Sequence, residues 1–115
     1  MSVKIYHNPR CSKSRQTLAL LEEQNITPKV IKYLENPPTA EEIDLILTML
    51  NCQPRDIMRR GEKEYKTQNL DDETLDKEDL IQAMINTPRL IERPIVIKDG
   101  QAAIGRPPEL ILKIL

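Results

Sequence analysis

Cys11 lies in the stretch HNPRCSKSR, where a thiol is surrounded by His7, Arg10, Lys13 and Arg15. A short alternating run before it and an amphipathic run after it predict a strand-to-helix junction at this point. Free backbone N–H groups at a helix N-terminus favour an anion and lower the pKa of a thiol placed there. The surrounding cations would lower it further if they point inward. The pattern therefore predicts a nucleophilic thiolate beside an oxyanion pocket.

The residues after Cys11 exclude two familiar cysteine chemistries. Ser14 stands where a CxxC motif has its second cysteine, so an internal disulfide exchange of the thioredoxin type is not available one turn on. Thr17 stands where a C-x5-R phosphatase loop has its arginine. An adduct on Cys11 therefore needs an external thiol to release it. The remaining alternative is that Cys11 is a small apolar filler, as free cysteine often is.

Composition excludes several other functions. The 115 residues carry 17 Lys and Arg against 18 Asp and Glu, with no Phe or Trp, which disfavours nucleic-acid binding. No apolar run approaches the length of a membrane span, and the start of the chain lacks a signal-peptide pattern, so we expect a cytoplasmic protein. With one histidine and two distant cysteines, no metal site is expected. No flavin or nucleotide motif indicates a bound cofactor, and Cys52 is interpreted as structural.

The elements that must position Cys11 can be traced along the chain. Strands are predicted at residues 3–6, 28–34, 95–98 and 101–104, the last two joined by the turn signal Asp99-Gly100. The first two strands flank a helix at 12–24, which favours a parallel βαβ unit. Helices are also predicted from Thr39 to Leu50, from Pro54 to Arg60, at 78–85 and after Pro107, with a solvated loop at 62–79. The predicted fold is α/β, β-α-β … β-β-α, in a single domain over residues 1–115 with a helical insert at roughly 39–86.

Four motifs in matching order, HNPRCSKSRQTL, YLENPP, LIERPIVI and GRPPE, resemble the bacterial arsenate reductase family linked to glutathione and glutaredoxin (ArsC-like, including its uncharacterised YfgD-type paralogues). The resemblance runs over essentially the whole chain and implies a thioredoxin-like fold with a helical insert. It implies that Cys11 is the nucleophile and that Arg59, Arg93 and Arg106 bind the oxyanion. Supporting roles are implied for four further residues: His7, Ser14, Arg15 and Pro94, the last with a cis peptide bond.

The function implied by the resemblance is reduction of arsenate to arsenite, with glutathione as co-substrate and glutaredoxin as the protein that removes glutathione from Cys11. No bound cofactor, metal, nucleic acid or membrane partner is implied. Two alternatives stay open: a redox or regulatory binding module of the same fold, like the Spx regulators, and a general glutathione-dependent oxidoreductase. Ser12 and Lys13 depart from the family, which often has glycine directly after the cysteine, so oxyanion preference stays open too.

Overall fold

The computed structural model describes residues 2–115; Met1, the first residue of the predicted domain, lies outside the described residues. The chain divides into two compact units. Residues 2–36 and 93–115 form the first, here called the sheet unit, and Pro37–Glu92 form the second, called the helical unit. The predicted insert at 39–86 falls inside the helical unit. The single-domain organisation stays a prediction.

The sheet unit contains four strands: β1 (Val3–Tyr6), β2 (Lys29–Ile31), β3 (Ile95–Lys98) and β4 (Gln101–Ile104). Their order across the sheet is β2-β1-β3-β4, with β1 parallel to β2 and antiparallel to β3. The predicted parallel βαβ unit and β3–β4 hairpin are confirmed. Asp99 and Gly100 both have positive φ, 48° and 78°, as a tight two-residue turn between twisted strands requires.

Helix α1 (Ser12–Glu23) and a 3-10 helix (Pro108–Ile114) complete the sheet unit. The core between these elements is aliphatic, because β-branched strand residues meet leucine and isoleucine from the helices. Its buried members are Val3, Ile5, Leu21, Val96 and Ile111. The segment after Pro107, expected to be a helix, forms the tighter 3-10 turn, as short connectors and termini often do.

The helical unit contains α2 (Ala40–Leu50), α3 (Lys63–Thr67) and α4 (Lys77–Asn86), together with 3-10 helices at Pro54–Ile57 and Pro88–Leu90. The capping box predicted from Thr39 and Glu42 is present, with both reciprocal hydrogen bonds formed.

Two expectations for the helical unit were wrong. Part of the loop at 62–79 is helical, because Tyr65 is buried and anchors α3. The helix from Pro54 ends at Ile57, before Arg59, because Met58 pairs with Ile91 in a β-bridge.

Within residues 2–115, no helix combines the length and the apolar composition needed to cross a bilayer. No group of three or more His, Cys, Asp or Glu side chains in that range is placed to hold a metal ion.

Candidate active site

Cys11 occupies the N-cap position of α1 in an extended backbone conformation, with φ −94° and ψ 123°. It is there because β1 ends at Tyr6, Pro9 interrupts the strand pattern, and the Cys11 N–H donates to the Asn8 carbonyl at 3.0 Å in the turn that follows. The predicted strand-to-helix junction is confirmed. The side chain is buried, with 9% of its surface exposed.

The pKa of the Cys11 thiol lies below its ordinary value of 9.0. Burial acts in the opposite direction, but it is outweighed by the backbone N–H of Ser14, the Arg93 side chain and the backbone N–H of Lys13. The Cys11 side chain makes no capping hydrogen bond. A thiolate at this position is nevertheless favoured by the N–H donors of the first helical turn. The predicted depression of the pKa is therefore confirmed in direction.

Two arginines from the other end of the chain reach this sulfur. Arg93 donates a hydrogen bond to it and contributes its positive charge. Arg106 places Nη1 4.0 Å from Cys11 Sγ and 3.3 Å from the Arg93 carbonyl oxygen, to which it donates. Two guanidinium groups at one thiolate offer several N–H donors to a tetrahedral oxyanion and offset its repulsion from the sulfur.

Both arginines stand beside prolines at cis peptide bonds, Arg93-Pro94 and Arg106-Pro107. Pro94 therefore has the cis geometry that the family resemblance implies. The two segments are also joined directly, because the Gly105 N–H donates to the Pro94 carbonyl at 2.9 Å. This link fixes the backbone from which both guanidinium groups extend.

His7 and Ser14 form a buried pair beneath the cysteine loop. His7 Nδ1 and Ser14 Oγ are hydrogen-bonded at 2.6 Å, and the Asn8 N–H donates to the same hydroxyl at 3.0 Å. Burial, Lys32 and Arg15 lower the pKa of His7, so its imidazole is neutral at neutral pH. His7 therefore supplies no positive charge to Cys11 and instead joins β1 to the first turn of α1 through Ser14.

The cations nearest to Cys11 in sequence do not act on its sulfur through their side chains. Arg10 and Arg15 are exposed, Lys13 is partly exposed, and none of their side chains contributes to the lowered pKa of Cys11. Arg15 Nη1 donates to the Pro9 carbonyl at 2.9 Å, which holds the cysteine loop against α1. The condition for a lower thiol pKa, that these side chains point inward, is not met for the exposed Arg10 and Arg15, and Arg93 is the side chain that lowers it.

Arg59 lies in the helical unit and has carboxylate partners there. It pairs with Glu62, and its Nε lies 3.9 Å from Glu92 Oε1. Glu62 also accepts from Arg89 at 3.2 Å, so one carboxylate holds two arginines. The Arg59 N–H donates to the Leu90 carbonyl at 2.7 Å. The structure thus brings six of the predicted site residues around Cys11 in the sheet unit, whereas Arg59 belongs to the helical unit.

Sequence analysis missed Thr17 and Gly105 as parts of the site. Thr17 is fully buried, and its hydroxyl donates to the Lys13 carbonyl at 2.8 Å and lies 3.5 Å from the Gly105 carbonyl oxygen. A β-carbon on Gly105 would lie 2.4 Å from Thr17 Oγ1 and 2.9 Å from Pro94 Cγ. Glycine is therefore required by close packing of α1 against both proline segments. The glycine before Arg106 in GRPP was the available signal.

Gly105→Ala is expected to destabilise the protein by about 1–3 kcal/mol, since the added methyl group overpacks a buried contact. Gly61→Ala is the matched control, because no atom lies within 4 Å of a β-carbon there. Its free energy of unfolding should change by no more than about 0.5 kcal/mol. Urea denaturation of both variants measures the difference. Equal stabilities would contradict the packing described for Gly105.

The two cysteines are expected to differ in reactivity at neutral pH. Burial and Asp56 raise the pKa of Cys52, whereas that of Cys11 is lowered. A lowered pKa means more thiolate at pH 7, so Cys11 should be alkylated first and Cys52 only as the pH rises. Peptide mapping after iodoacetamide treatment across pH 5 to 10 measures both midpoints. Equal midpoints, or a higher one for Cys11, would contradict this assignment.

The sheet, α1 and a cysteine of lowered thiol pKa beside two arginines define a thioredoxin-like α/β protein. The model of the ArsC family matches residues 6–114. The chain therefore belongs to the ArsC family.

The similar proteins cover nearly the whole chain. The uncharacterized protein YfgD of Escherichia coli (strain K12) is 53% identical over 98% of this chain and 96% of its own length. The arsenate reductase of Neisseria meningitidis serogroup A is 46% identical over 98% of this chain and 97% of its own length. The solved structure of an arsenate reductase from Vibrio cholerae superposes with a TM-score of 0.98, at 55% identity, covering 100% of this chain and 98% of that one.

Proposed function

We propose that this protein reduces arsenate to arsenite, with glutathione as the electron donor and glutaredoxin as the protein that restores the free thiol. The observation that carries the proposal is the placement of Arg93 and Arg106 at the thiolate-favouring Cys11. A general thiol–disulfide enzyme has no need for two guanidinium groups at its sulfur, whereas an enzyme that brings a thiolate to an oxyanion must neutralise the anion first. Membership of the ArsC family supports the same substrate.

The first step forms a sulfur–arsenic bond. The Cys11 thiolate attacks the arsenic of the singly charged dihydrogen arsenate ion and expels hydroxide, which takes up a proton to become water. The product is an anionic arsenate thioester on Cys11 in which arsenic is still pentavalent. Arg93 and Arg106 hold the oxygens as charge builds on them, which is the largest contribution that such a site makes to the rate.

The second step transfers two electrons to arsenic. Glutathione attacks the Cys11 sulfur, the sulfur–arsenic bond breaks with its electron pair moving to arsenic, and arsenite leaves. The two sulfurs become a mixed disulfide between Cys11 and glutathione. Glutaredoxin then takes the glutathione by thiol–disulfide exchange and returns Cys11 to the thiol. Ser14 in place of a second cysteine agrees with this use of external thiols.

The resemblance assigns Arg59 a third oxyanion contact, and the proposal keeps that role. Its pairing with Glu62 and Glu92 fixes the guanidinium within the helical unit and leaves it further N–H groups to donate. The proposal places the reaction in the cytoplasm, where glutathione keeps thiols reduced.

Arsenate-dependent oxidation of NADPH, coupled through glutathione reductase, glutathione and glutaredoxin, tests the proposal. Turnover should require arsenate and both thiols. Absence of turnover with every thiol system would reject it. Stable recovery of RNA polymerase by both the native protein and Cys11→Ser would favour a binding module instead. Reduction of a small disulfide that survives both Arg93→Ala and Arg106→Ala, without arsenate turnover in the native protein, would favour a general oxidoreductase.

A further inference from the structure

The near-neutral net charge conceals an uneven distribution between the two units. The sheet unit carries ten Lys and Arg against five Asp and Glu, a formal charge of +5. The helical unit carries seven against thirteen, a formal charge of −6. The unit that holds the nucleophile is therefore strongly cationic. A surface of this kind raises the local concentration of anions and their rate of encounter.

Arg10 and Lys13 are the cations nearest to Cys11 in sequence, and the site described above gives their side chains no role. Arg10 is exposed and Lys13 partly exposed, and within residues 2–115 neither side chain forms an ion pair or a hydrogen bond. Neither side chain contributes to the lowered pKa of Cys11, although the backbone N–H of Lys13 does. The covalent chain nevertheless keeps the backbones of Arg10 and Lys13 close to Cys11, since adjacent Cα atoms are about 3.8 Å apart. Two unpaired positive charges are therefore attached to the chain one residue before and two residues after Cys11.

The second step of the proposed reaction requires positive charge near Cys11. The arsenic adduct on Cys11 is anionic, and glutathione carries two carboxylates and one ammonium group, so the second step brings two anions together. Arg93 and Arg106 are already engaged with the sulfur and the oxyanion. Cations outside that pocket would offset the remaining repulsion, and Arg10 and Lys13 are placed to do so.

We propose that Arg10 and Lys13 form the docking surface for the carboxylates of the small peptide thiol that releases the adduct from Cys11. The identity of this thiol rests on the proposed function, but the surface itself is testable without arsenate.

Paired alkylating agents test the surface in a Cys52→Ser background, where Cys11 is the one thiol. Iodoacetate is an anion and iodoacetamide is neutral, so the ratio of their rate constants reports local charge while any change in thiolate fraction cancels. Arg10→Ala/Lys13→Ala should lower the ratio about fourfold, and Arg10→Glu/Lys13→Glu by more than about tenfold. The effect should vanish near 1 M salt, where the Debye length falls to about 3 Å.

Lys98→Ala is the matched control. Lys98 pairs with Val3, at the start of β1. The cysteine loop begins after Tyr6, at the other end of that strand. Lys98→Ala removes one positive charge, as each of the Arg10→Ala and Lys13→Ala substitutions does, and should leave the ratio unchanged. A ratio that is unaffected by the Arg10 and Lys13 substitutions, or lowered equally by Lys98→Ala, would overturn the proposal.

The same variants, treated with oxidised glutathione and with neutral hydroxyethyl disulfide, test the assignment to the thiol. The rate of mixed-disulfide formation with glutathione should fall by the same factor relative to the neutral disulfide. A fall for iodoacetate alone would overturn the assignment to a peptide thiol. If the substitutions lower both ratios but the native protein lacks arsenate turnover, the proposed function is rejected and the docking surface stands. If the native protein reduces arsenate but the substitutions leave both ratios unchanged, the docking surface is rejected and the proposed function stands.

Discussion

Cys11→Ser is expected to lower arsenate turnover by at least about 10⁴-fold, as loss of a covalent nucleophile does in other enzymes. A serine hydroxyl stays protonated at neutral pH and no adjacent base is available to activate it, because His7 hydrogen-bonds to Ser14. The N–H groups at the start of α1 and the two arginines would still bind the anion. The coupled NADPH assay measures the loss, and protection against proteolysis by arsenate shows that binding survives.

Cys52→Ser is the control for this prediction. Burial and Asp56 disfavour its thiolate, so turnover should stay within about twofold of the native value. Residual turnover in Cys11→Ser above about one part in a thousand would contradict the nucleophile assignment. Loss of turnover in a folded Cys52→Ser protein would show that an internal disulfide replaces the external thiol.

Arg93→Ala is expected to have the second largest effect, lowering kcat/KM for arsenate by about 10²- to 10³-fold. Arg93 donates to the Cys11 sulfur and lowers its pKa, so the substitution removes an oxyanion ligand and thiolate stabilisation together. Arg93 keeps the pKa of Cys11 depressed, so removing Arg93 moves the midpoint of Cys11 alkylation to higher pH. Alkylation at pH 7 is then slower, because less of Cys11 is thiolate. Arg93→Lys should recover part of the midpoint but less of the kcat/KM, since it keeps the charge and loses the planar fork.

Arg106→Ala separates oxyanion binding from stabilisation of the Cys11 thiolate. Its Nη1 lies 4.0 Å from the sulfur, but Arg106 is not among the groups that lower the pKa of Cys11. Its loss should raise the KM for arsenate while the alkylation midpoint stays near the native value. A large shift of the midpoint in Arg106→Ala, with none in Arg93→Ala, would reverse the assignment of these two arginines.

Much of the fold could be predicted because its boundaries carry residues with one strong local preference. β1 ends at Tyr6, just before the predicted turn at His7-Asn8-Pro9, Thr39 and Glu42 cap α2, and Asp99-Gly100 adopts the positive φ values that its turn needs. Helix α3 could not be predicted in this way. Its five residues, KEYKT, show no apolar stripe, and the burial of Tyr65 depends on tertiary packing that has no period in the sequence.

In the candidate site, too, local sequence predicts some features, whereas others depend on tertiary structure. The backbone placement of Cys11 follows from local sequence, because a strand, a turn and a helix start are all readable there. The approach of Arg93 and Arg106 depends on β3 lying beside β1, and only the family resemblance anticipated it. The outward direction of Arg10 and Arg15 was not predictable from spacing, since charge near a cysteine in sequence says nothing of which face of the first turn it occupies.

A single turnover with arsenate and glutathione, in the absence of glutaredoxin, tests the central claim most directly. The account predicts that each protein chain releases one arsenite and retains one glutathione, which mass spectrometry of the peptide containing Cys11 should find on that residue. Glutaredoxin added afterwards should remove it. Arsenite release that leaves Cys11 unmodified, or linked to Cys52, would contradict the claim that Cys11 transfers its adduct to an external thiol.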